Sequence, residues 1–443
     1  MTELAFSCEW LTTGQDAPEL RETVAQFTMR AGNLILTRNE DAWSKTVRDS
    51  VLVSVYPLAI WLAASWWRLN YEPLPKHIPI PSLDWRMAHE IGAANHGYVW
   101  PHIVLATDGE AMHMWAAPSA PDSRQSVKYL NGLSQPHAVK LDDFNHEAAR
   151  FIELVLSRLH TTGYPDTDLA SLWRLILEDR ADPESAKLRR MEAQLGYDPD
   201  ECPDAIIAEA LALESRMGMS TLSELAPVFG KCNADPTLDE ISRLANGNGV
   251  IGAPEINHSP LDAADPGAPP WSRAVRAARN LRNMLGNRES PIDDSTLYGL
   301  FGLTPQAVTN APTPQRQKVG LAVPDKNGRL KFTPRKRHPI SQRFEFGRFL
   351  GDYINSGSTP DNWLASTDLV TARQKFQRAF AAELLCPIES LIAYLNDDYS
   401  ESAIDDAAGH FRVSEQTIEW LLVNNGHIAS RAADGGLPYR TAA

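Results

Sequence analysis

The chain has 443 residues, is 43% hydrophobic and 22% charged, and carries a formal net charge of −14. That length exceeds one ordinary core and implies two or three domains. The composition excludes a disordered or collagen-like chain, and the acidic balance argues against a nucleic-acid grip spread over the whole surface. Four cysteines, Cys8, Cys202, Cys232 and Cys386, form no CxxC pair, which points to buried free thiols in a reducing, cytoplasmic compartment. The opening MTELAFSCEW has no basic n-region, so no secretory signal is expected.

Taken in chain order, residues 1–160 predict a mixed α/β domain of unknown role. Glu19–Met29 has helical apolar spacing. Val51–Trp67 carries no charge over 17 residues, the lower limit of a membrane span. Its serines, proline and three tryptophans, and the lack of a second span, favour a buried core helix instead. Ile103–Trp115 alternates around Asp108-Gly109, a hairpin signal. Ser126–Leu141 offers a second strand pair around Asn131-Gly132, and Phe144–Leu159 keeps one helical stripe.

Residues 161–245 predict an acidic helical domain, with helices over Ser171–Glu178, Ala186–Leu195 and Ala205–Arg216. Two shorter helices follow over Glu224–Val228 and Leu238–Leu244. Residues 246–270, rich in Gly, Pro, Asn and Asp, predict a linker and the main boundary. Beyond it, Trp271–Leu285 and Ile292–Phe301 are helical, and Val319–Pro334 is a hairpin turning at Asn327-Gly328. Helices over Phe344–Ile354, Arg373–Leu385, Ser402–His410 and Ser414–Val423 close the chain.

Charge is unevenly placed. The segment Arg316–Arg348 holds ten Lys/Arg and two Asp/Glu, a net of +8. Within it Arg335, Lys336, Arg337 and Arg343 are candidate contacts for an anion or for nucleic-acid phosphates. A solvated loop or pairing within the chain is the plainer expectation. The tail Ile404–Val423 has helix-turn-helix rhythm, with Ser414 as an N-cap. Asp397–Glu419, however, carries seven acidic residues against Arg412, the reverse of what a DNA-reading helix needs. His89-Glu90, His96, His102 and His113 form a histidine-rich stretch without metal-site spacing, and ordinary packing roles are expected for them.

Two segments carry a family resemblance. Gln342–Asp352, QRFEFGRFLGD, follows the charged hairpin, and Phe380–Leu385, FAAELL, lies in the helix after it. Together, from Trp271 onward, they resemble the ImmA/IrrE metallopeptidases, in which the Arg343-Phe344 lead-in runs into His-Glu-x-x-His. Two histidines at i and i+4 share a helical face and hold one zinc, and the glutamate takes a proton from the metal-bound water.

In this chain the two histidine positions are Arg348 and Asp352. The general-base position is Phe349, and the later acidic ligand position is Gln374. Arg348 stays protonated and cannot ligate, Phe349 is no base, and Gln374 is a poor zinc ligand. The resemblance therefore implies an α+β protein whose residues 271–443 form a mostly helical, zincin-like domain with a small hairpin or sheet. It further implies no cofactor, zinc having lost its ligands.

An Arg348–Asp352 ion pair in the metal's place is expected. The implied role is that of a regulatory or interaction protein in bacterial stress response, phage defence or toxin–antitoxin control, with a repressor-like protein or toxin–antitoxin component as partner and no membrane. Its groove would still take an extended peptide by strand addition. The alternatives are a metal-dependent endopeptidase with an unusual site, and a nucleic-acid-binding component using residues 329–343.

Overall fold

The computed structural model describes residues 3–438 except 12, 15, 76–79, 121–123, 232–236, 257–266, 312–316, 357–362 and 430–436. Cys232, Arg316 and the middle of the expected linker lie outside the described residues. Two compact units divide the chain: residues 1–204, 230–234 and 434–443 form the first, and 205–229 with 235–433 form the second. Both combine helices with antiparallel sheets, an α+β architecture. Among the described residues no helix is long and apolar enough to cross a membrane.

The first unit begins with β1 (Leu4–Trp10), α1 (Pro18–Arg21), β2 (Val24–Ala31), β3 (Leu34–Ile35), β4 (Asn39–Asp41), β5 (Thr46–Arg48) and β6 (Val51–Ser54). There follow α2 (Tyr56–Ala64), α3 (Trp66–Tyr71), α4 (Leu83–His89), β7 (His102–Thr107), β8 (Ala111–Ala117), β9 (Val127–Tyr129) and β10 (His137–Lys140). Three helices complete it: α5 (Leu141–Thr161), α6 (Asp168–Ala181) and α7 (Pro183–Gln194). β2 pairs with β1, β3 and β6; β10-β8-β7 and β5-β4-β9 form two further sheets. Phe6, Phe27 and Phe151 meet at ring distances of 4.9–6.1 Å in the core.

Four sequence expectations change here. Glu19–Met29 is helical only at its start, because Ala25, Phe27, Met29 and Ala31 bury at a period of two and make β2 a strand. The apolar run from Val51 opens as β6 before α2 and α3 begin, and Trp61, Trp66 and Trp67 of those helices are buried. β9 and β10 do not pair with each other: β9 pairs with β4 and β10 with β8. Gly132 lies so close to β8 that a Cβ there would come within 2.9 Å of the Ala116 carbonyl oxygen, so the chain around it packs on β8 instead of turning a tight hairpin. Finally, residues 161–245 are not one domain. Trp173 of α6 meets Trp66 edge-on at 5.1 Å, and Leu169, Trp173 and Ile176 join the first unit's core.

The second unit contains α8 (Asp204–Met217), α9 (Met219–Phe229), α10 (Asp239–Asn246), β11 (Val250–Gly252), α11 (Pro270–Met284), α12 (Asp294–Gly299) and α13 (Pro305–Thr309). β12 (Gly320–Pro324), β13 (Leu330–Thr333), α14 (Pro339–Ser356), β14 (Leu364–Ser366) and α15 (Ala372–Leu385) build its centre. α16 (Ile388–Leu395), α17 (Glu401–Phe411) and α18 (Glu415–Asn424) close it. The expected linker contributes an edge strand, β11, to an antiparallel sheet of order β11-β13-β12-β14. The β12–β13 hairpin turns at Asp325, whose carboxylate accepts from the Asn327 and Arg329 backbone. At the tail, Ser414 caps α18 through the Thr417 amide, and Arg412 stands at φ 55° in the turn from α17.

Candidate functional site

The helix α14 carries a polar stripe on a buried face. Glu345, Arg348, Phe349 and Asp352 recur at i, i+3, i+4 and i+7, so they project to one side, and all four are buried. α15 crosses close by, since Gly347 and Gly351 leave no side chain between the helices. A Cβ on Gly351 would come within 2.9 Å of the Phe380 ring, and one on Gly347 within 3.1 Å of Ala381.

What this face meets is the outer edge of β14. A strand at the end of a sheet leaves every second residue's N–H and C=O without a ladder partner. On β14 side chains supply those partners. The Ala365 amide donates to Asp352 Oδ2 at 3.0 Å. The Ala365 carbonyl accepts from Gln374 Nε2 at 3.0 Å and Gln377 Nε2 at 2.9 Å. Gln374 Oε1 accepts from the Thr367 amide at 2.9 Å and also from the Arg348 guanidinium. Arg348 Nη2 donates to the Thr367 carbonyl at 2.6 Å. One step back, the Trp363 carbonyl accepts from Thr221 Oγ1 of α9 at 3.0 Å and from Arg373. Side chains thus complete the edge as a neighbouring strand would, so the strand addition expected of the groove has no open edge at these residues of β14.

The expected Arg348–Asp352 pair does not form. Asp352 instead takes a bidentate bond from Arg373, at 2.6 and 2.8 Å. Burial alone would lower the Arg373 pKa, but Asp352 outweighs it and holds the guanidinium more firmly protonated than usual. Phe349 turns away from the polar groups into a phenylalanine cluster with Phe332 and Phe346, at ring distances of 5.6 and 6.1 Å. Arg348 and Gln374, by contrast, are in direct contact.

Do these residues fit a zinc ion? A guanidinium is a fixed cation without a free lone pair, both oxygens of Asp352 are engaged by Arg373 and Ala365, and Gln374 Oε1 already accepts two bonds. The donor set does not fit, and no metal-dependent step is derived for it.

The arginines nearby divide into two kinds. Arg335 is buried and bonds Glu345 at 3.2 Å and Asp368 at 2.7 Å. Arg343 is buried against Asp294 at 2.6 Å and the Ile292 carbonyl. Neither reaches the surface as the candidate contact expected from the sequence, because internal carboxylates and a carbonyl hold both. Lys336 and Arg337 are exposed.

Arg348 and Arg378 differ from these. Neither forms an ion pair among the described residues, and Arg348 Nε and Arg378 Nη1, like Arg343 Nε, are buried without a hydrogen-bond partner there. Burial, then the positive charges of Arg378 and Arg335, push the Arg348 pKa down to about 9. Burial likewise pushes Arg378 down to about 10.

In the first unit the histidine-rich stretch has no convergent site. His89 is fully buried, with Nδ1 on the Leu105 carbonyl at 2.8 Å, Nε2 on Glu72 at 3.0 Å, and its ring stacked on Trp85. His113 bonds Asp108 at 2.7 Å, and Glu90 bonds Arg86. Among the described residues no group of three or more His, Cys, Asp or Glu is placed to hold a metal.

Sequence reasoning missed Arg373, Gln377 and Arg378 on α15, and Thr221 and Glu224 on α9. A signal exists for the first three: Arg373/Gln377 and Gln374/Arg378 are polar pairs at i, i+4 in a helix whose other buried residues, Glu383 apart, are phenylalanine, alanine and leucine. No comparable signal marks α9. In comparisons with known proteins, the chain matches no family model, no curated protein and no solved structure.

Proposed function

We propose that the second unit is a non-catalytic counterpart of the ImmA/IrrE metallopeptidases, with a zincin-like domain that serves a regulatory or interaction role. One observation carries this reading. Arg348 on α14 and Gln374 on α15, which stand where the resemblance implies a metal-ligand pair, touch each other beside a β-strand. A contact between these two positions is what a site shared by the two helices would need, and it supports the reading, while the guanidinium of Arg348 repels a cation. Phe349, at the position of the proton-taking glutamate, serves packing.

The partner class this reading favours is a protein of the repressor or toxin–antitoxin kind. With β14 closed, the partner docks elsewhere than on that strand. Exposed Lys336 and Arg337 keep a nucleic-acid role as the second reading. It predicts a salt-dependent affinity that falls on reversing those two charges.

The decisive experiment restores the ligands. The quadruple variant R348H/F349E/D352H/Q374E is expected to bind stoichiometric zinc, while the wild-type protein, purified without chelator, carries none. A folded quadruple variant that ignores zinc would remove the family reading. Stoichiometric zinc in the wild type, with a proteolytic activity lost on chelation, would instead establish the endopeptidase.

A further inference from the structure

We infer that Arg348 and Arg378 form a buried binding site for a small oxyanion of the size and charge of phosphate. Both guanidiniums are held at the same stretch of backbone. Arg348 Nη2 donates to the Thr367 carbonyl at 2.6 Å and Arg378 Nη2 to the Leu369 carbonyl at 2.9 Å. Thr367 and Leu369 are separated by at most about 7 Å of chain, and the positive charge of Arg378 acts directly on Arg348, so the two cations are neighbours.

Arg335 bonds Glu345 and Asp368. Asp368 and Glu224 act on Arg378 only from a distance, and neither Arg348 nor Arg378 forms an ion pair among the described residues. A buried guanidinium without a counter-charge is strongly disfavoured, and proteins pair such groups.

Each of the two also keeps a buried N–H without a partner, Nε on Arg348 and Nη1 on Arg378. A water molecule would satisfy an N–H but not the charge. An oxyanion satisfies both, and the planar guanidinium matches its oxygens. The burial of these donors limits the ligand to a small ion shed of its water. The inference rests on the arginines alone and stands whether or not the peptidase resemblance holds.

The test uses the full chain, dialysed into phosphate, sulfate or chloride at matched ionic strength. At about a hundred times its dissociation constant, phosphate is expected to raise Tm about 5–10 °C above chloride. Native mass spectrometry of the desalted protein is expected to show a retained oxyanion. R378Q is expected to lose the phosphate increment while matching or exceeding the wild type in chloride, where a guanidinium without an ion pair has been removed. That crossing separates anion binding from a purely structural role. Equal Tm in all three anions with no retained oxyanion, or a phosphate increment preserved in R378Q, overturns the proposal. Should R378Q not fold, the wild-type anion dependence and the mass measurement decide.

Discussion

Glu224 shows how one side chain ties stability to pH. It is buried on α9, accepts from Thr371 Oγ1 at 2.7 Å, and lies near Arg373. Burial raises its pKa, partly offset by Arg373 and by hydrogen bonds from Thr371 and Gln374. The folded protein therefore holds the Glu224 proton to higher pH than the unfolded chain does. This group's contribution to stability is fully present below the ordinary carboxylate pKa, about 4.3, and is lost as pH rises through the raised value. Glu224→Gln keeps the oxygen that accepts from Thr371 and removes the titration. Its stability relative to wild type is expected to improve as pH rises from about 4.3 and then level off. Urea unfolding of both proteins across that range checks this, and a pH-independent difference between them would remove the assignment.

The elements around the candidate site were unequally legible. The hairpin β12–β13 and the helices α14, α15, α17 and α18 follow from Asn327-Gly328, from apolar periods and from Ser414, because turns and caps are decided by neighbouring residues. β14 leaves no signal in the sequence. Three residues long, it has too few positions for a period, and its stability comes from side chains on α9, α14 and α15 distant in sequence. For the same reason spacing points from Asp352 to Arg348, four residues away, while its partner Arg373 sits on another helix. Spacing predicts partners within a helix and is silent about those across a helix crossing.

That crossing is itself testable. Gly351 lets α14 approach α15, and a Cβ there would sit 2.9–3.0 Å from three atoms of Phe380, its Cβ among them. A phenylalanine Cβ is fixed to the backbone, so it cannot swing aside. Gly351→Ala is expected to destabilise the second unit by about 1–3 kcal/mol through overpacking, despite alanine's higher helix propensity, worth about 1 kcal/mol in the opposite direction. Gly299→Ala, in α12 with open space around its Cβ, is the control and lacks that overpacking penalty. If both substitutions stabilise equally, the close approach is not limiting.

For the molecule as a whole, the boundary expected at residues 246–270 misjudges what the second unit needs. Composition marks that stretch as a linker, yet Val250–Gly252 pairs with β13, and the helices before it belong to the same unit as those after it. α9 supplies Thr221 to the Trp363 carbonyl and Glu224 to Thr371, and Ser220 of the same helix accepts from Arg373. Leu222 and Leu225 on α9 are fully buried, and burying such a side chain contributes about 1.5–3 kcal/mol.

Adding the lost hydrogen bonds at about 1 kcal/mol each, cutting the chain at Trp271 removes an amount comparable with the about 5–15 kcal/mol that holds a domain together. A fragment spanning 271–433 is therefore expected to show no cooperative urea transition, while one spanning 205–433 unfolds in a single sigmoidal step. It would keep the edge strand β11 and the helix that closes β14. Equal midpoints for the two fragments would place the boundary back at the proline- and glycine-rich stretch and make α9 a dispensable attachment.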